Sequence, residues 1–226
     1  MADDATYPPE PWHLRGRLLV SVLLVPAAQV PRLDDALPPG HRPVLLGGRV
    51  LLGVALAEYG PGGEVVYDEL LTAVLTRPHG SLRAHVTIPR IWVSTGPALA
   101  GGRELWAIPK ELCAVERHAT ASAVHADVTA EGEPVARLTA RLGPRLLPGR
   151  LPLPLTTAQR GLTGRGAIVS ANRVTAEVRT LRARWHFAPG GALAHLAGRR
   201  PLASVALTGA DIVFGCHVCR EQEVAP

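Results

Sequence analysis

Lysine is nearly absent from this 226-residue chain: of its 24 lysine and arginine residues only Lys110 is lysine, and the other 23 are arginine. A guanidinium supplies plain positive charge but keeps its proton, whereas an amine can release one and attack a carbonyl. A lysine that stands alone is either a chance survivor of a composition rich in Ala, Gly, Pro and Arg, or a residue whose chemistry arginine cannot perform. Aromatic residues are also scarce, at 4%. With the arginines scattered along the chain, a net charge of +5 then does not make a base-stacking surface, and no nucleic-acid partner is expected. Three cysteines are too few and odd in number for a disulfide framework, and they fit a reducing cytoplasm. The acidic, proline-rich start shows no signal peptide. Apolar runs such as Leu18–Pro26 are less than half a membrane span, so no membrane partner is expected either.

Nucleotide and metal motifs are missing as well. No Gly-x-Gly-x-x-Gly or phosphate loop occurs, and the histidines show no ligand spacing. Cys216-His217-Val218-Cys219 invites a zinc reading, but a structural site wants four ligands and the third cysteine, Cys113, is far away in sequence. Strand alternation would also put Cys216 and His217 on opposite faces. No metal is expected.

What is present in quantity is punctuation. Twenty-three glycines and 21 prolines break the chain into short pieces, which favours many strands over long helices. Leu18–Val25 and Arg49–Ala57 are short apolar runs. Val124–Thr129 and Val135–Leu142 alternate around a Glu131-Gly132-Glu133-Pro134 turn, the pattern of an antiparallel hairpin with one solvated face. Segments 167–170, 174–180, 204–208 and 212–218 add strand candidates. Tyr67–Leu75 suits a helix or a buried strand. Helical spacing is confined to Pro31–Leu37 and Ala192–Ala197, and Leu146–Pro154 reads as an internal connection. The expectation is an α+β, mostly β, single domain over residues 1–226, with residues 1–10 and 220–226 as flexible ends.

The densest stretch leads to the lone lysine. Trp106, Ala107, Ile108 and Pro109 precede Lys110, and apolar neighbours disfavour an ammonium, the condition under which the amine becomes a nucleophile. Pro109 biases Ile108 to an extended conformation, so Lys110 is expected on a stiff extended segment. The competing reading is a lysine whose stem covers apolar surface at a strand end.

The run Gly102-Arg103-Glu104-Leu105-Trp106-Ala107-Ile108-Pro109-Lys110 closely resembles the segment holding the Schiff-base lysine of the acetoacetate decarboxylase family and its wider superfamily. Pro11-Trp12…Gly16-Arg17 resembles that family's N-terminal strand with an active-site arginine. Gly60-Pro61…Tyr67-Asp68-Glu69-Leu70 resembles the strand with an active-site glutamate. The resemblance implies antiparallel strands forming a barrel or sandwich with few short helices, a covalent imine with no cofactor, a small keto-acid substrate and a homo-oligomer. It implies Lys110 and Glu69 as catalytic residues, with Arg17, Tyr67 and Trp106 binding substrate. If residues 67–69 are a strand, Tyr67 and Glu69 share a face. Arg103 and Glu104 are expected to support the segment as an ion pair.

One position departs from the family. The decarboxylases carry a second active-site lysine after the first; here Glu111 occupies that place. The sequence therefore favours aldol, dehydration or cyclisation chemistry through the imine, of the kind used in secondary metabolism. β-Keto acid decarboxylation is the alternative, and a non-catalytic small-molecule binder of the same fold is a third reading.

Overall fold

The computed structural model of the protein describes residues 6–162 and 166–221, the last by its backbone alone. Along the chain the strands are β1 (Trp12–Pro26), β2 (His41–Pro43), β3 (Leu45–Leu46), β4 (Arg49–Tyr59), β5 (Tyr67–Pro78) and β6 (His85–Val93). They continue as β7 (Lys110–Leu112), β8 (Ala114–Ala119), β9 (Ala123–Ala130), β10 (Glu133–Arg145), β11 (Leu151–Arg160), β12 (Ala167–Phe187) and β13 (Ala203–Glu221). Helices are few: one turn, α1 (Leu33–Ala36), and α2 (Gly96–Trp106). No helix among the described residues is long and apolar enough to cross a membrane.

Seven strands pair in the order β11, β6, β5, β4, β1, β13, β12, and β11 also pairs with β12, which closes them into a barrel. Every pairing in the ring is antiparallel except β11 with β6. Beyond the barrel, the second half of β12 carries β10, β9 and β8 as an antiparallel extension. That extension folds over the outer face of β1, β4 and β5. Leu19, Leu23, Val54 and Leu70 there join Ala126, Val128, Leu138 and Leu181 in one apolar core. A second core fills the barrel, with Trp12, Leu14, Ala57, Tyr59, Ile91 and Ile212 among its members. A strand buried on both faces reads as a continuous apolar run, which is why Arg49–Tyr59 shows so little alternation.

Several expectations need adjusting. The ambiguous segment beginning at Tyr67 is the strand β5, and the candidates at 167–180 and 204–218 are two long strands, β12 and β13. Leu146–Pro154 is only partly a connection, because β11 starts at Leu151. Ala192–Ala197 forms a single 3-10 turn, Ala194–Leu196, since so short a segment cannot offset the cost of nucleating a helix. The parts of the expected flexible ends that are described are docked. Tyr7 Oη donates to Glu104 at 2.5 Å, Trp12 Nε1 donates to the Pro8 carbonyl, and Arg220 pairs with Glu10. Residues 1–5 and 222–226 lie outside the described residues.

Candidate active site

The barrel interior holds a cavity of about 340 Å³, and Lys110, Glu69, Tyr67, Tyr59 and Trp106 all line it. Each arrives there by strand register. In β5, Tyr67, Glu69 and Leu71 face inward, opposite Tyr59, Ala57 and Ala55 of β4. Lys110 opens β7, which runs parallel to β6 with Lys110 beside Ile91 and Glu111 beside Trp92. Neighbours across a ladder point to the same side. Lys110 therefore enters the cavity with Ile91, while Glu111 follows Trp92 to the outer face.

Helix α2 holds β7 in place. Thr95 precedes a helix with proline in its first turn, where the missing N–H is harmless. At its other end Ala107 takes a left-handed conformation, φ 51°. The Ala107 amide donates to the Arg103 carbonyl, the bond of a left-handed cap, and the Ile108 amide donates to the Gly102 carbonyl. Arg103 Nε then donates to the Lys110 carbonyl at 2.8 Å. The expected Arg103–Glu104 ion pair is replaced by two separate tethers, because Glu104 accepts instead from Tyr7. Gly101 and Gly102 let the helix lie against the site. A Cβ on Gly101 would fall 2.4 Å from the Trp12 ring, and one on Gly102 would fall 2.4 Å from Lys110 Cδ and Cε.

Lys110 Nζ donates to Glu69 Oε2 at 3.1 Å, with the two side chains only 4% and 6% exposed. The ammonium also sits 5.0 Å from the centre of the Tyr67 ring, within cation–π range. Tyr59 Oη donates to the other Glu69 oxygen, Oε1, at 3.4 Å. Burial first, and the Glu69 charge second, push both the Tyr59 and the Tyr67 phenols well above the usual range, so both remain hydrogen-bond donors. Trp106 packs edge-on to Trp12 at 4.9 Å and to Phe214 at 4.6 Å, forming one wall.

Two residues lie elsewhere. Arg17, expected to bind substrate, does not line the cavity. It is an odd-numbered residue of β1, whose even-numbered Leu14, Leu18 and Val20 face in. On the outer face Glu58 and Asp68 stand opposite each other across β4 and β5, and Arg17 and Arg117 neutralise them. Arg17 Nε lies 2.7 Å from Glu58, and Arg117 lies 2.9 Å from Glu58 and 2.6 Å from Asp68. Glu111 is likewise turned away, 3.2 Å from Arg32 and 3.5 Å from Arg90. Its charge does not enter the cavity. Tyr59 is the site residue that sequence reasoning missed; only its cross-strand pairing with Tyr67 reveals it.

A buried amine beside a carboxylate can exchange one proton internally. Transfer from Nζ to Glu69 leaves a neutral nucleophile next to a neutral acid, the arrangement needed to add an amine to a carbonyl and expel water.

The fold is shared with solved enzymes. MppR, an enduracididine biosynthesis enzyme seen with HEPES bound, matches with TM-score 0.66 at 18% identity, over 99% of this chain and 92% of the other. The same enzyme with the condensation product of pyruvate and imidazole 4-carboxaldehyde gives TM-score 0.64 at 16% identity, over 99% and 94%. Acetoacetate decarboxylase from Legionella pneumophila gives TM-score 0.67 at 16% identity, over 97% and 91%. No curated protein matches the sequence. The acetoacetate decarboxylase family, in contrast, matches residues 13–182, a span that takes in the β5 glutamate, helix α2 and the lone lysine. The chain therefore belongs to the acetoacetate decarboxylase family.

Proposed function

We propose that the protein is a Schiff-base-forming lyase in which Lys110 condenses with a keto acid or related carbonyl compound. The observation that carries this is the buried Lys110–Glu69 pair inside an apolar cavity. Glu69 takes a proton from Nζ, and the neutral amine adds to the carbonyl carbon. Glu69 then returns the proton to the carbinolamine oxygen as water leaves, and an iminium forms opposite a carboxylate. The iminium draws electrons, so Glu69 can remove the α-proton and release an enamine. The enamine carbon attacks a second carbonyl, or the sequence runs backwards as carbon–carbon cleavage. Tyr59, held protonated, donates to Glu69 and orients it, and the protonated Tyr67 hydroxyl hydrogen-bonds to the departing oxygen.

Aldol-type chemistry is favoured because, among the described residues that line the cavity, Lys110 is the only cation, which leaves no second one to hold a carboxylate that is to be lost. Decarboxylation of a β-keto acid is the second reading. Apolar walls support it, since they destabilise a carboxylate more than the carbon dioxide it releases. MppR's complex with a condensation product of pyruvate and an aldehyde is an analogy for the first reading.

Borohydride added with a carbonyl compound tests the proposal. One stable adduct is expected, on Lys110, and Lys110→Arg abolishes it while the fold persists. An unlabelled Lys110 with every carbonyl tried would leave the binder reading. Carbon dioxide measured from acetoacetate separates the two chemistries: rapid, Lys110-dependent release makes the protein a decarboxylase.

A further inference from the structure

We infer that the site takes an uncharged, largely apolar aldehyde or ketone rather than a keto acid. The inference rests on the Schiff-base reading for its chemistry, but its own support is the charge and shape of the cavity. Lys110 is the only arginine, lysine or histidine among the described residues that line it, and Glu69 is the only acid. An iminium on Nζ keeps the single positive charge and Glu69 the single negative one, so the occupied site is balanced with a neutral substrate. A substrate carboxylate would add an uncompensated charge to a space walled by Leu14, Val20, Ile88, Leu153, Leu207 and Phe214. Burying such a charge without a partner is strongly unfavourable.

Among the described residues, the cations nearest the site are already paired. Arg17 and Arg117 sit on the outer face and neutralise Glu58 and Asp68, and Arg90 faces Glu111. The cavity's amide is committed too. Asn172 Nδ2 donates to Thr157 Oγ1 and to the Ser170 carbonyl, while its Oδ1 accepts from the Gly215 amide and Ser170 Oγ. The Trp106 edge that bears Nε1 packs on Gly215, where a Cβ would fall 2.8 Å from that nitrogen. Beyond the Tyr59 and Tyr67 hydroxyls beside Glu69 and Trp106 Nε1, unpartnered among the described residues, all uncharged donors, what the interior offers a second functional group is hydrocarbon.

Size points the same way. The 340 Å³ available is over twice the ~150 Å³ that accommodates benzene, giving room for about a dozen non-hydrogen atoms. Each methylene buried against these walls should tighten binding about fourfold. The structure thus fits an alkyl or aryl ketone or aldehyde of roughly six to twelve non-hydrogen atoms. No co-reactant is needed for the imine step: Nζ and the carbonyl carbon bond, and oxygen leaves as water.

The test compares charged and uncharged isosteres. Levulinate and methyl isoamyl ketone differ in a carboxylate against an isopropyl group. Each is titrated with borohydride present, alongside methyl ketones of increasing chain length. Methyl isoamyl ketone is expected to half-saturate Lys110 labelling at a concentration ~100-fold below levulinate, with tighter binding along the ketone series. Equal or better labelling by levulinate or pyruvate overturns the inference and leaves the Schiff-base proposal standing. Trp12 and Trp106 line the cavity, so intrinsic fluorescence reports occupancy without any covalent step. Fluorescence changes that favour the neutral ketones with no labelling would keep this inference and refute the imine. Neither signal from any of the compounds, neutral or charged, would refute both.

Discussion

Gly101 and Gly102 are adjacent in α2, and alanine at each should fail in a different way. At Gly102 the new Cβ would lie 2.4 Å from Lys110 Cδ and Cε, where ordinary contact begins at 3.4 Å. The lysine stem must therefore retreat by the difference, 1.0 Å. It can do so, because it borders an open cavity, so the fold absorbs the change. Helix propensity even returns up to about 1 kcal/mol for replacing an interior glycine. Chemistry cannot absorb it: Nζ leaves its 3.1 Å contact with Glu69, and a misplacement of ~1 Å costs about a hundredfold in rate. That is about 2.7 kcal/mol of barrier. At Gly101 the new Cβ meets Trp12 at 2.4 Å. Trp12 is 1% exposed and wedged against Trp106, so the clash becomes overpacking worth about 1–3 kcal/mol. For a chain of this length each kcal/mol lowers Tm by roughly 2–4 °C. The assay is Lys110 trapping rate and thermal unfolding on both variants. Gly102→Ala should keep its Tm and lose trapping about a hundredfold; Gly101→Ala should lose Tm. A Gly102→Ala protein trapped at the wild-type rate, or one as destabilised as Gly101→Ala, would refute the packing argument.

Glu69→Gln should slow deuterium exchange into the α-position of a bound ketone, followed by NMR, by about 10²–10⁴-fold; undiminished exchange assigns the proton transfer elsewhere. Arg17→Gln should leave Lys110 trapping unchanged and lower Tm, because Glu58 and Asp68 then face each other with Arg117 alone. A large loss of trapping at unchanged Tm would return Arg17 to the site. His195 should confer acid sensitivity. Burial first, then Arg199 and Arg90, hold its imidazole below the usual 6.5, and neither ring nitrogen meets a hydrogen-bond partner among the described residues. The unfolded chain takes up this proton more readily, so the contribution is complete above about 6.5 and is lost as pH falls toward the depressed folded value. In His195→Gln the Tm should decline less steeply on that side, and an unchanged slope would contradict the assignment.

The site was legible where chemistry is written in single residues. Lys110 stands out by being alone, Glu69 is marked by the resemblance of its segment to the family's glutamate strand, and Tyr67 joins it by period-two alternation once β5 is read as a strand. Helix α2 was not legible. Gly96, Pro97, Gly101 and Gly102 read together as breaks, but Gly96 and Pro97 only open the helix, and packing against Trp12 and Lys110 explains Gly101 and Gly102. The lengths of β12 and β13 were hidden in the same way. Ala171-Asn172-Arg173 looks like a break but is a shift of register within one strand. Arg17 shows the limit of alternation in this fold. Both faces of β1 are buried, one in the cavity and one under Leu19 and Leu23, so apolar spacing does not say which side faces the chemistry. The outward turn of Glu111 depends on parallel pairing with β6, a contact between segments that local sequence does not encode.

Burial of the only lysine also determines how the molecule meets its surroundings. Every cationic side chain on the exterior is a guanidinium or an imidazole, so above the histidine range the outer positive charge holds constant far into alkaline solution. Cross-linkers, acetylating agents and enzymes that modify surface lysine find no side-chain target on the folded protein. An amine-directed reagent small enough to enter the barrel finds one, and apart from any α-amino group its consumption counts open cavities directly.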